Sequence, residues 1–324
     1  MSEPFDVSVL IPTRNRRAFF ADTLNQIATQ DFAGRVQVVA SINGSKDDTA
    51  QFVQSFDDSV FTRRGWEFTY AVHTQTLPIQ DNWNHLVEKA KGKYFAFHLD
   101  DDGWDTDYLS FTLGLLEKHP ECALLICAGR NMGTDGSIMR GWVDSAFTTP
   151  PPLGDVLKPG VNTPAQILNF FVSRPGFNFS QLTFRNNERR FQKEDGTHFD
   201  VGYVLTRLLD GNVYVSPDEK MTVRIDPNSY GLNDILKTNA DRELAISKCY
   251  LNTLSRLQVL PALQPSLRDF AKRRATRSLV QFAKSVTALR PVPGFVQMAS
   301  ALRAGASSGT WQPVSNIQIS RDDR

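Results

Sequence analysis

The sequence predicts an α/β protein with a mostly parallel sheet flanked by helices and a helical extension toward the carboxyl terminus. The first observation is that, over about the first hundred residues, short β-branched or aromatic runs alternate with amphipathic stretches. The second is that one such run, Tyr94–Leu99, ends abruptly in three consecutive aspartates. In open α/β sheets the chemistry lies at the carboxyl ends of strands, so both observations indicate the same architecture.

The elements of the amino-terminal part follow one another in a regular order. Strands are predicted at 7–11, 36–42, 68–72, 94–99 and 123–127, and helices at 18–30, 47–56, 80–91 and 108–118. Ser45 stands three residues before Asp48, a capping-box pattern that predicts the start of the second helix. Gly92 predicts the end of the third helix, because glycine is common just after a helix.

The carboxyl-terminal part is less regular. A stretch rich in proline and glycine, 148–164, predicts a loop that crosses to the second half of the chain. Beyond it the pattern is β-like at 177–185, helical at 199–209, a strand at 213–215, and helical at 234–260 and 264–304. The end of the chain, from residue 305, is rich in Ser, Gly and Asp and is predicted to be flexible.

The composition argues against several classes of protein. The 36 basic and 35 acidic residues leave a net charge of +1, which argues against nucleic acid as a partner. The three cysteines have neither zinc-site nor disulfide-framework spacing, so reduced thiols are expected. The sequence has no membrane-spanning apolar run and no secretory signal pattern, so a cytoplasmic location is expected.

Asp100, Asp101 and Asp102 carry the main functional prediction. Three carboxylates at a buried strand end repel one another and lose solvation, so they need a cation. Mg²⁺ commonly bridges a few carboxylates to substrate phosphates. The triplet therefore predicts a metal site that holds a phosphorylated donor. The alternative interpretation is an acidic loop that caps the next helix through Asp105.

Five segments carry a resemblance to a known family. They are SVLIPTRNR (Ser8–Arg16), VVASINGSKDDT (Val38–Thr49), NHLVEKAKGKY (Asn84–Tyr94), LDDDGW (Leu99–Trp104) and FDVGYVLTRLLDGNVYVSPDEKMTVRID (Phe199–Asp226). In this order they resemble glycosyltransferase family 2, which has the GT-A fold, a Rossmann-like nucleotide-binding sheet. The resemblance covers roughly residues 5–230. It implies an inverting, metal-dependent glycosyltransferase that moves a sugar from a nucleotide-sugar donor to a hydroxyl of a glycan or lipid-linked glycan.

The resemblance also implies a division of the chain. Residues 1–230 are the expected catalytic domain, with 1–128 as the nucleotide-sugar half and 129–230 as the acceptor half. Residues 231–304 are the expected helical carboxyl-terminal region, and 305–324 the expected flexible tail.

Individual residues take roles from the resemblance. Asp102, together with Asp100, is implied to bind Mn²⁺ or Mg²⁺. Asp200 is implied to be the general base that accepts the acceptor's proton, or alternatively only a helix cap, and Glu194 and Asp195 are its rivals. Contacts with the donor, a UDP-sugar as first choice, are implied for Pro12, Thr13, Arg14, Asn43, Asn84, Asp100, Asp101 and Arg224.

Three departures from the family pattern leave parts of the site open. Ile42 stands where an acid for the base or ribose is aligned. Either Ser41 or Asn43 substitutes through neutral hydrogen bonds, or the donor is held differently. Phe199 stands in place of the first acid of an E-D pair. Asp226 replaces a histidine, either as a further metal ligand or as a solvent-facing side chain.

Three residues near the acids have competing interpretations. Trp104 is either a platform for a sugar acceptor or packed core. Asn84 either orients the donor or is a satisfied core amide. His98 is interpreted as a core histidine in preference to a ligand.

The segment Arg268–Arg303 mixes eight basic residues and many apolar ones with a single acid, Asp269. Such a mixture predicts a surface that lies on an anionic membrane, so the protein is expected to be cytoplasmic and peripheral at the inner face of the membrane. That location would suit an acceptor carried on a polyprenyl diphosphate. The alternative is an amphipathic helix packed on the catalytic domain, with its basic face in water.

Two other functions remain as alternatives. A nucleotidyltransferase also uses strand-end acids and a metal, but it usually has a glycine-rich phosphate loop, which Thr13–Arg16 lacks. A non-catalytic sugar-nucleotide-binding or scaffold protein with a degenerate site is the second, because the expected acid is missing at Ile42.

Overall fold

The computed structural model describes residues 5–133, 135–139, 157–173, 177–224, 239–287 and 294–316. The chain forms two compact units. The first comprises residues 1–161, 177–191 and 212–225, and the second comprises 162–176, 192–211 and 226–324. The second unit takes in 192–211, which differs from the expected division of the chain at residue 230.

The helices and strands are numbered in chain order. The strands are β1 Val7–Thr13, β2 Val36–Asn43, β3 Glu67–His73, β4 Tyr94–Phe97, β5 Gly103–Trp104, β6 Cys122–Met132, β7 Ile138–Met139, β8 Gly160–Asn162, β9 Leu182–Arg185 and β10 Asn212–Arg224. The helices are α1 Arg17–Ala28, α2 Thr49–Gln54, α3 Ser59–Thr62, α4 Ile79–Lys89, α5 Tyr108–Lys118, α6 Pro164–Ser173, α7 Phe199–Thr206, α8 Asn239–Leu257, α9 Gln264–Thr287 and α10 Gly294–Ser308. The predicted start of the α8 helix, 234–238, lies outside the described residues, as does much of the predicted loop 148–164.

The described strands of the main sheet follow the order β3-β2-β1-β4-β9-β6-β10-β5. The pairs β3–β2, β2–β1, β1–β4 and β6–β10 are parallel. Strand β9 runs antiparallel between β4 and β6, and β5 runs antiparallel to β10. The prediction of a mostly parallel α/β sheet is confirmed. Because β1 and β4 are parallel neighbours, their carboxyl ends meet at the same edge of the sheet.

Apolar side chains cover both faces of the sheet. On one face, α1 contributes the fully buried Phe20, Leu24 and Ile27 to a cluster with residues of β1, β2 and α5. On the other face, Trp83 of α4 stacks on Phe97 of β4, with ring centroids 4.7 Å apart. In agreement with this cover on both faces, every residue of β2 and all but one of β1 are buried, and most of them are apolar.

The sequence signals at Gly92 and Ser45, each predicted to mark a helix end, have different roles in the structure. Gly92 is required where the chain passes β1, since a Cβ there would lie 2.5 Å from the backbone nitrogen of Ser8. The predicted capping box at α2 is wrong. The Asp47 carboxylate accepts the hydrogen bond from the backbone N–H of Thr49 at 3.1 Å, whereas the Ser45 hydroxyl accepts one from the backbone of Asn15. A tertiary contact has therefore taken the hydroxyl that the local pattern assigned to the helix.

The second unit is mainly helical, and its described part is held together by buried polar pairs as well as apolar packing. Asp195 is buried, and both of its carboxylate oxygens accept hydrogen bonds from Nη2 of Arg256, at 2.8 and 2.7 Å. Trp311 is 1% exposed. Its ring packs so closely on Gly305 that a Cβ at that position would lie 2.2 Å from it. This packing differs from the flexible tail expected from residue 305, of which 317–324 lies outside the described residues.

Candidate functional site

The carboxyl ends of β1 and β4 bring a basic loop onto the acid triplet. Thr13, at the end of β1, donates a hydrogen bond from Oγ1 to Oδ2 of Asp100 at 2.6 Å. The Arg16 guanidinium lies 3.1 Å from Oδ1 of Asp100 and also pairs with Asp101. Arg16 therefore gives one positive charge to two of the three acids. The sequence placed Arg16 in this loop but did not indicate the pairing.

Asp102 has different neighbours. It is 5% exposed, and its Oδ2 accepts a hydrogen bond from Ser180 Oγ at 2.6 Å. Its Oδ1 lies 3.4 Å from the backbone nitrogen of Arg224. Across the ranges that the structure describes, no cationic side chain forms an ion pair with Asp102.

Burial dominates the electrostatics of the two outer acids. It raises the pKa of Asp100 to about 6, and the charge of Asp101 adds to this effect while Arg16 opposes it. Burial, again followed by the charge of Asp101, raises the pKa of Asp102 well above its usual range, and the hydrogen bond from Ser180 opposes the shift. A cation placed between such carboxylates favours their ionised forms.

The donor set fits a hard divalent metal. Carboxylate oxygens are the ligands that Mg²⁺ and Mn²⁺ prefer. In the described part of the chain, no group of three or more His, Cys, Asp or Glu side chains is arranged to hold a metal ion. Asp102 and Asp100 would therefore supply only part of a coordination shell, and substrate phosphates and waters commonly complete such shells.

The loop after β1 is tied to the loop after β2. Asn15 adopts a left-handed conformation with φ of 53°, and its side-chain oxygen accepts a hydrogen bond from the backbone of Lys46 at 2.6 Å. Pro12 is half-buried, whereas Arg14 is exposed. Arg14 makes no hydrogen bond or ion pair with any described residue, so its guanidinium can meet an incoming anion.

Arg224, at the end of β10, lies beside the acids. Its Nε donates a hydrogen bond to the backbone carbonyl of Asp101 at 3.2 Å. Its guanidinium lies over the ring of Phe19, 4.9 Å from the ring centroid. The structure thus brings Arg224 to the predicted site, whereas Asp226 lies outside the described residues.

Asn43 and Asn84 each clamp a backbone segment with both ends of the side-chain amide. Asn43 donates to the carbonyl of Leu77 at 3.1 Å and accepts from its N–H at 2.8 Å. Asn84 does the same with Phe191, at 3.0 and 2.7 Å. Both asparagines therefore fix loops at the edge of the sheet, and direct contact of either with a donor stays a prediction.

The end of β2 carries neutral polar groups where an acid was expected. Ile42 is fully buried in the core, and side chains alternate along a strand, so Ser41 and Asn43 point to the opposite face. The Ser41 hydroxyl donates to Oδ1 of Asn82 at 2.6 Å and lies 3.1 Å from Nε2 of His73. This cluster places hydrogen-bonding groups beside residue 42.

Trp104 and His98 are packed core. Trp104 is 6% exposed, stacks on Tyr108 with ring centroids 4.0 Å apart, and donates its indole N–H to the carbonyl of Ser180 at 2.9 Å. It does not present a face for a sugar. His98 is fully buried, and burial lowers its pKa to about 4, so it is neutral at pH 7.

Three carboxylates of the second unit were candidates for the general base. Asp195 has a fully buried side chain that is paired with Arg256, and burial raises its pKa to about 6 against the effect of that pair. Glu194 is exposed on the short 3₁₀ segment before α7. Asp200 is half-buried in the first turn of α7. The assignment of the general base to Asp200 stays a prediction.

The basic segment of α9 and α10 buries most of its large apolar residues, although Val280 and Val296 are exposed. Phe270, Phe295 and Met298 are almost fully buried. Within this segment, the described basic residues that are exposed are Arg268, Lys272, Arg273 and Arg303. No helix in the described ranges is long and apolar enough to cross a membrane.

Ser180 and Asn178 are candidates that sequence reasoning missed. Asn178 and Gln181 form a capping box, which a pattern search could find and would interpret as a turn. The contact between Ser180 and Asp102 joins residues 78 positions apart and arises only from folding.

Comparisons with known proteins show the family and the fold. A family model described as Glycosyl transferase family 2 matches residues 8–174, just over half of the 324 residues. S. aureus TarS 1-349 in complex with UDP-GlcNAc is 17% identical, with a TM-score of 0.54 over 98% of both chains. Mannosyltransferase PcManGT from Pyrobaculum calidifontis, in complex with GDP-Man and Mn²⁺, is 15% identical, with a TM-score of 0.54 over 97% of this chain and 78% of that one. These likenesses show a shared fold. No curated protein matches the chain.

Proposed function

The chain belongs to glycosyl transferase family 2 and has the GT-A fold, and we propose that it is an inverting, metal-dependent enzyme acting on a nucleotide-sugar donor. The sugar moves to a hydroxyl of a glycan or lipid-linked glycan. The observation that carries this proposal is the pair of buried carboxylates, Asp100 and Asp102, at the carboxyl edge of the sheet. Within the described residues, only Asp100 of the two has a cationic partner, so the site is short of positive charge at Asp102.

Asp102, with Asp100, would hold Mn²⁺ or Mg²⁺. A bound divalent metal would neutralise the negative charge that develops on the leaving diphosphate. Arg14 is exposed and unpaired among the described residues, and a guanidinium matches phosphate geometry. Arg14 and Arg224 would therefore orient the diphosphate. Thr13 would act with them by fixing the orientation of Asp100 through the 2.6 Å hydrogen bond.

Pro12 and Asp101 would line the donor subsite beside these groups. Pro12 ends the apolar part of β1, and Asp101 has a side chain that is 15% exposed and neutralised by Arg16. Asn43 and Asn84 would act through the backbone segments that they clamp.

Asp200 would be the general base. A carboxylate in the first turn of a helix is favoured by the helix dipole, and a partly exposed one can meet an acceptor hydroxyl. It would accept the proton of that hydroxyl as the oxygen attacks the anomeric carbon. A single displacement of this kind inverts the configuration and needs no enzymic nucleophile.

A UDP-sugar is the proposed donor. The fold-level support is that S. aureus TarS forms complexes with UDP and with UDP-GlcNAc, while the mannosyltransferase PcManGT forms one with GDP-Man. In this chain the half-buried His73 at the end of β3, which lies 3.1 Å from the buried Ser41 hydroxyl, offers a hydrogen-bonding group to a base or ribose.

The proposed acceptor is a glycan or a polyprenyl-linked glycan, reached at the inner face of a membrane from the cytoplasm. The support is electrostatic: Arg268, Lys272 and Arg273 are exposed along α9. Because Phe270 and Met298 are buried, attraction of the basic side chains to anionic lipids would hold the protein there without insertion of an apolar face.

A panel of UDP- and GDP-sugars incubated with the protein and Mn²⁺ tests the proposal. We expect release of the nucleoside diphosphate from one donor, faster with an acceptor glycan present and absent in EDTA. Formation of a nucleoside triphosphate and a sugar 1-phosphate from one of these donors, on addition of pyrophosphate, would identify a nucleotidyltransferase. Nucleotide binding without turnover of any donor would identify a non-catalytic binding protein.

A further inference from the structure

A short 3₁₀ turn directly before β9, Phe179–Gln181, donates a hydrogen bond to the carboxylate of Asp102. We propose that Ser180, in this turn, is a positioning residue that orients Asp102 for the divalent metal. The proposal rests on the proposed function, because it concerns the metal of the same site. It adds a residue that lies outside the acid triplet and outside every segment that resembles the family.

The direction of the hydrogen bond follows from the partners of the hydroxyl. Ser180 is fully buried, and its Oγ accepts a hydrogen bond from the backbone N–H of Leu99 at 3.1 Å. A serine hydroxyl has one proton, and the N–H of Leu99 can only donate. The proton of Ser180 is therefore free to point at Oδ2 of Asp102, 2.6 Å away, and that carboxylate oxygen accepts it.

The turn itself is fixed, so Ser180 cannot follow the carboxylate if it rotates. The carbonyl of Ser180 accepts hydrogen bonds from the Trp104 indole at 2.9 Å and from the Tyr108 hydroxyl at 3.0 Å. Its N–H donates to the side chain of Asn178 at 2.8 Å, inside the capping box with Gln181. Every polar group of Ser180 thus has a partner.

The two oxygens of Asp102 are held unequally. Oδ2 has the short bond from Ser180, whereas Oδ1 has only a long contact, 3.4 Å, with the backbone nitrogen of Arg224. Oδ1 therefore keeps its lone pairs for a cation. Partners of this kind orient metal ligands in many proteins, and their loss typically costs 10–100-fold in metal affinity or activity.

The test is Mn²⁺ affinity, measured by electron paramagnetic resonance on the full chain with saturating UDP and, in parallel, GDP. We expect Ser180→Ala to weaken Mn²⁺ binding about 10–100-fold. Saturating Mn²⁺ should restore most of kcat, because the proposed general base and the contacts with the donor are unchanged. The matched control is Thr183→Val, which removes another fully buried hydroxyl, one that contacts Tyr108 at 3.3 Å and not the acids. Its Mn²⁺ affinity should equal that of the wild type.

A second variant covers the case in which Ser180→Ala fails to fold, since that change also leaves the N–H of Leu99 without its acceptor. Ser180→Cys keeps the size of the side chain and a sulfur near the N–H of Leu99, but its S–H is only a weak donor to Asp102. We expect it to weaken Mn²⁺ binding by a smaller factor.

Three results overturn the proposal in distinguishable ways. Unchanged Mn²⁺ affinity in Ser180→Ala, or in Ser180→Cys where the alanine variant does not fold, with Asp102→Ala unable to bind Mn²⁺, removes Ser180 from the site and leaves the proposed function in place. Equal loss of affinity in Thr183→Val reduces the effect to general destabilisation. Absence of nucleotide-dependent Mn²⁺ binding in the wild type overturns the metal-dependent function and this inference together.

Discussion

Asp102 and Asp195 are both buried carboxylates, and they differ in what neutralises them. The side chain of Asp195 is fully buried and is bonded through both oxygens to Arg256. Asp102, 5% exposed, has a hydroxyl and a long backbone contact, but no cationic side chain among the described residues. Burial raises the pKa of both acids.

The comparison separates a structural acid from a functional one. A buried carboxylate that is paired with a guanidinium of the same chain already has its charge compensated, and removing either partner leaves an uncompensated charge. A buried carboxylate without one is incomplete until a cation arrives, which is the situation that a metal–diphosphate donor would resolve. Asp100 lies between these cases, because Arg16 serves it and Asp101 together.

The largest effect is expected from Asp102→Ala. Transfer should fall by about 10³-fold or more, because the charge on the leaving diphosphate loses its stabilisation. The fold should survive, since the change removes a buried charge that has no cationic partner in the described part of the chain. Initial rates with Mn²⁺ and circular dichroism measure the two effects. Wild-type transfer by this variant in EDTA would contradict the metal site.

Asp200→Asn should lower kcat by about 10²-fold or more, the scale of a lost general base, with the apparent affinity for the donor nearly unchanged. The amide keeps the size of the side chain but cannot accept the acceptor's proton. Steady-state kinetics measure both constants. Glu194→Gln is the matched control, because that exposed residue lies in the preceding 3₁₀ segment. An inactive Glu194→Gln beside an active Asp200→Asn would move the base to Glu194.

Asp195→Ala sharpens the comparison from the other side. It should lower the free energy of unfolding by about 2–3 kcal/mol, toward the low end for a broken buried pair because the Arg256 side chain is 22% exposed. Urea unfolding measures this loss. Mn²⁺ binding by the folded fraction should match the wild type. A stability equal to that of the wild type would show that the Asp195–Arg256 pair does not stabilise the fold.

The smallest effect is expected at the membrane. Replacing Arg268, Lys272 and Arg273 by glutamine should weaken binding to anionic vesicles by about 2 kcal/mol at low salt, since each exposed basic residue contributes about 1 kcal/mol and Arg273 is already paired with Asp269. Co-sedimentation measures the change. The control replaces three exposed basic residues of the first unit, Arg63, Lys89 and Lys118, in the same way. Equal pelleting of both variants and the wild type would leave α9 as a packed helix only.

The sequence predicted the parts of this molecule that depend on local pattern. Alternating apolar runs predicted the strands. The acids that follow one of these runs were predicted to form a site at the strand end, and there Asp100 accepts a hydrogen bond from Thr13. Hydrogen bonds between residues far apart in the chain could not be predicted from local pattern. The capping-box prediction was wrong because Ser45 bonds to Asn15, and Ser180 went unnoticed because its partner lies 78 residues away.

The neutral polar residues show the same limit. Asn43 and Asn84 were predicted to contact the donor, and each has both ends of its amide on a backbone segment, Leu77 in one case and Phe191 in the other. Sequence patterns indicate that an amide is important at such a position. They do not reveal whether it holds a ligand or a loop, because that depends on which chain segment folds against it.

The most direct test of the central claim is a crystal structure with Mn²⁺ and UDP, with the metal located by its anomalous scattering. We expect the manganese peak within about 2.3 Å of Asp102 Oδ1. The Ser180 hydroxyl should remain on Oδ2. A structure with UDP bound and the manganese on other residues, or with no manganese at saturating concentration, would contradict the assignment of Asp102 as the acid that awaits a metal.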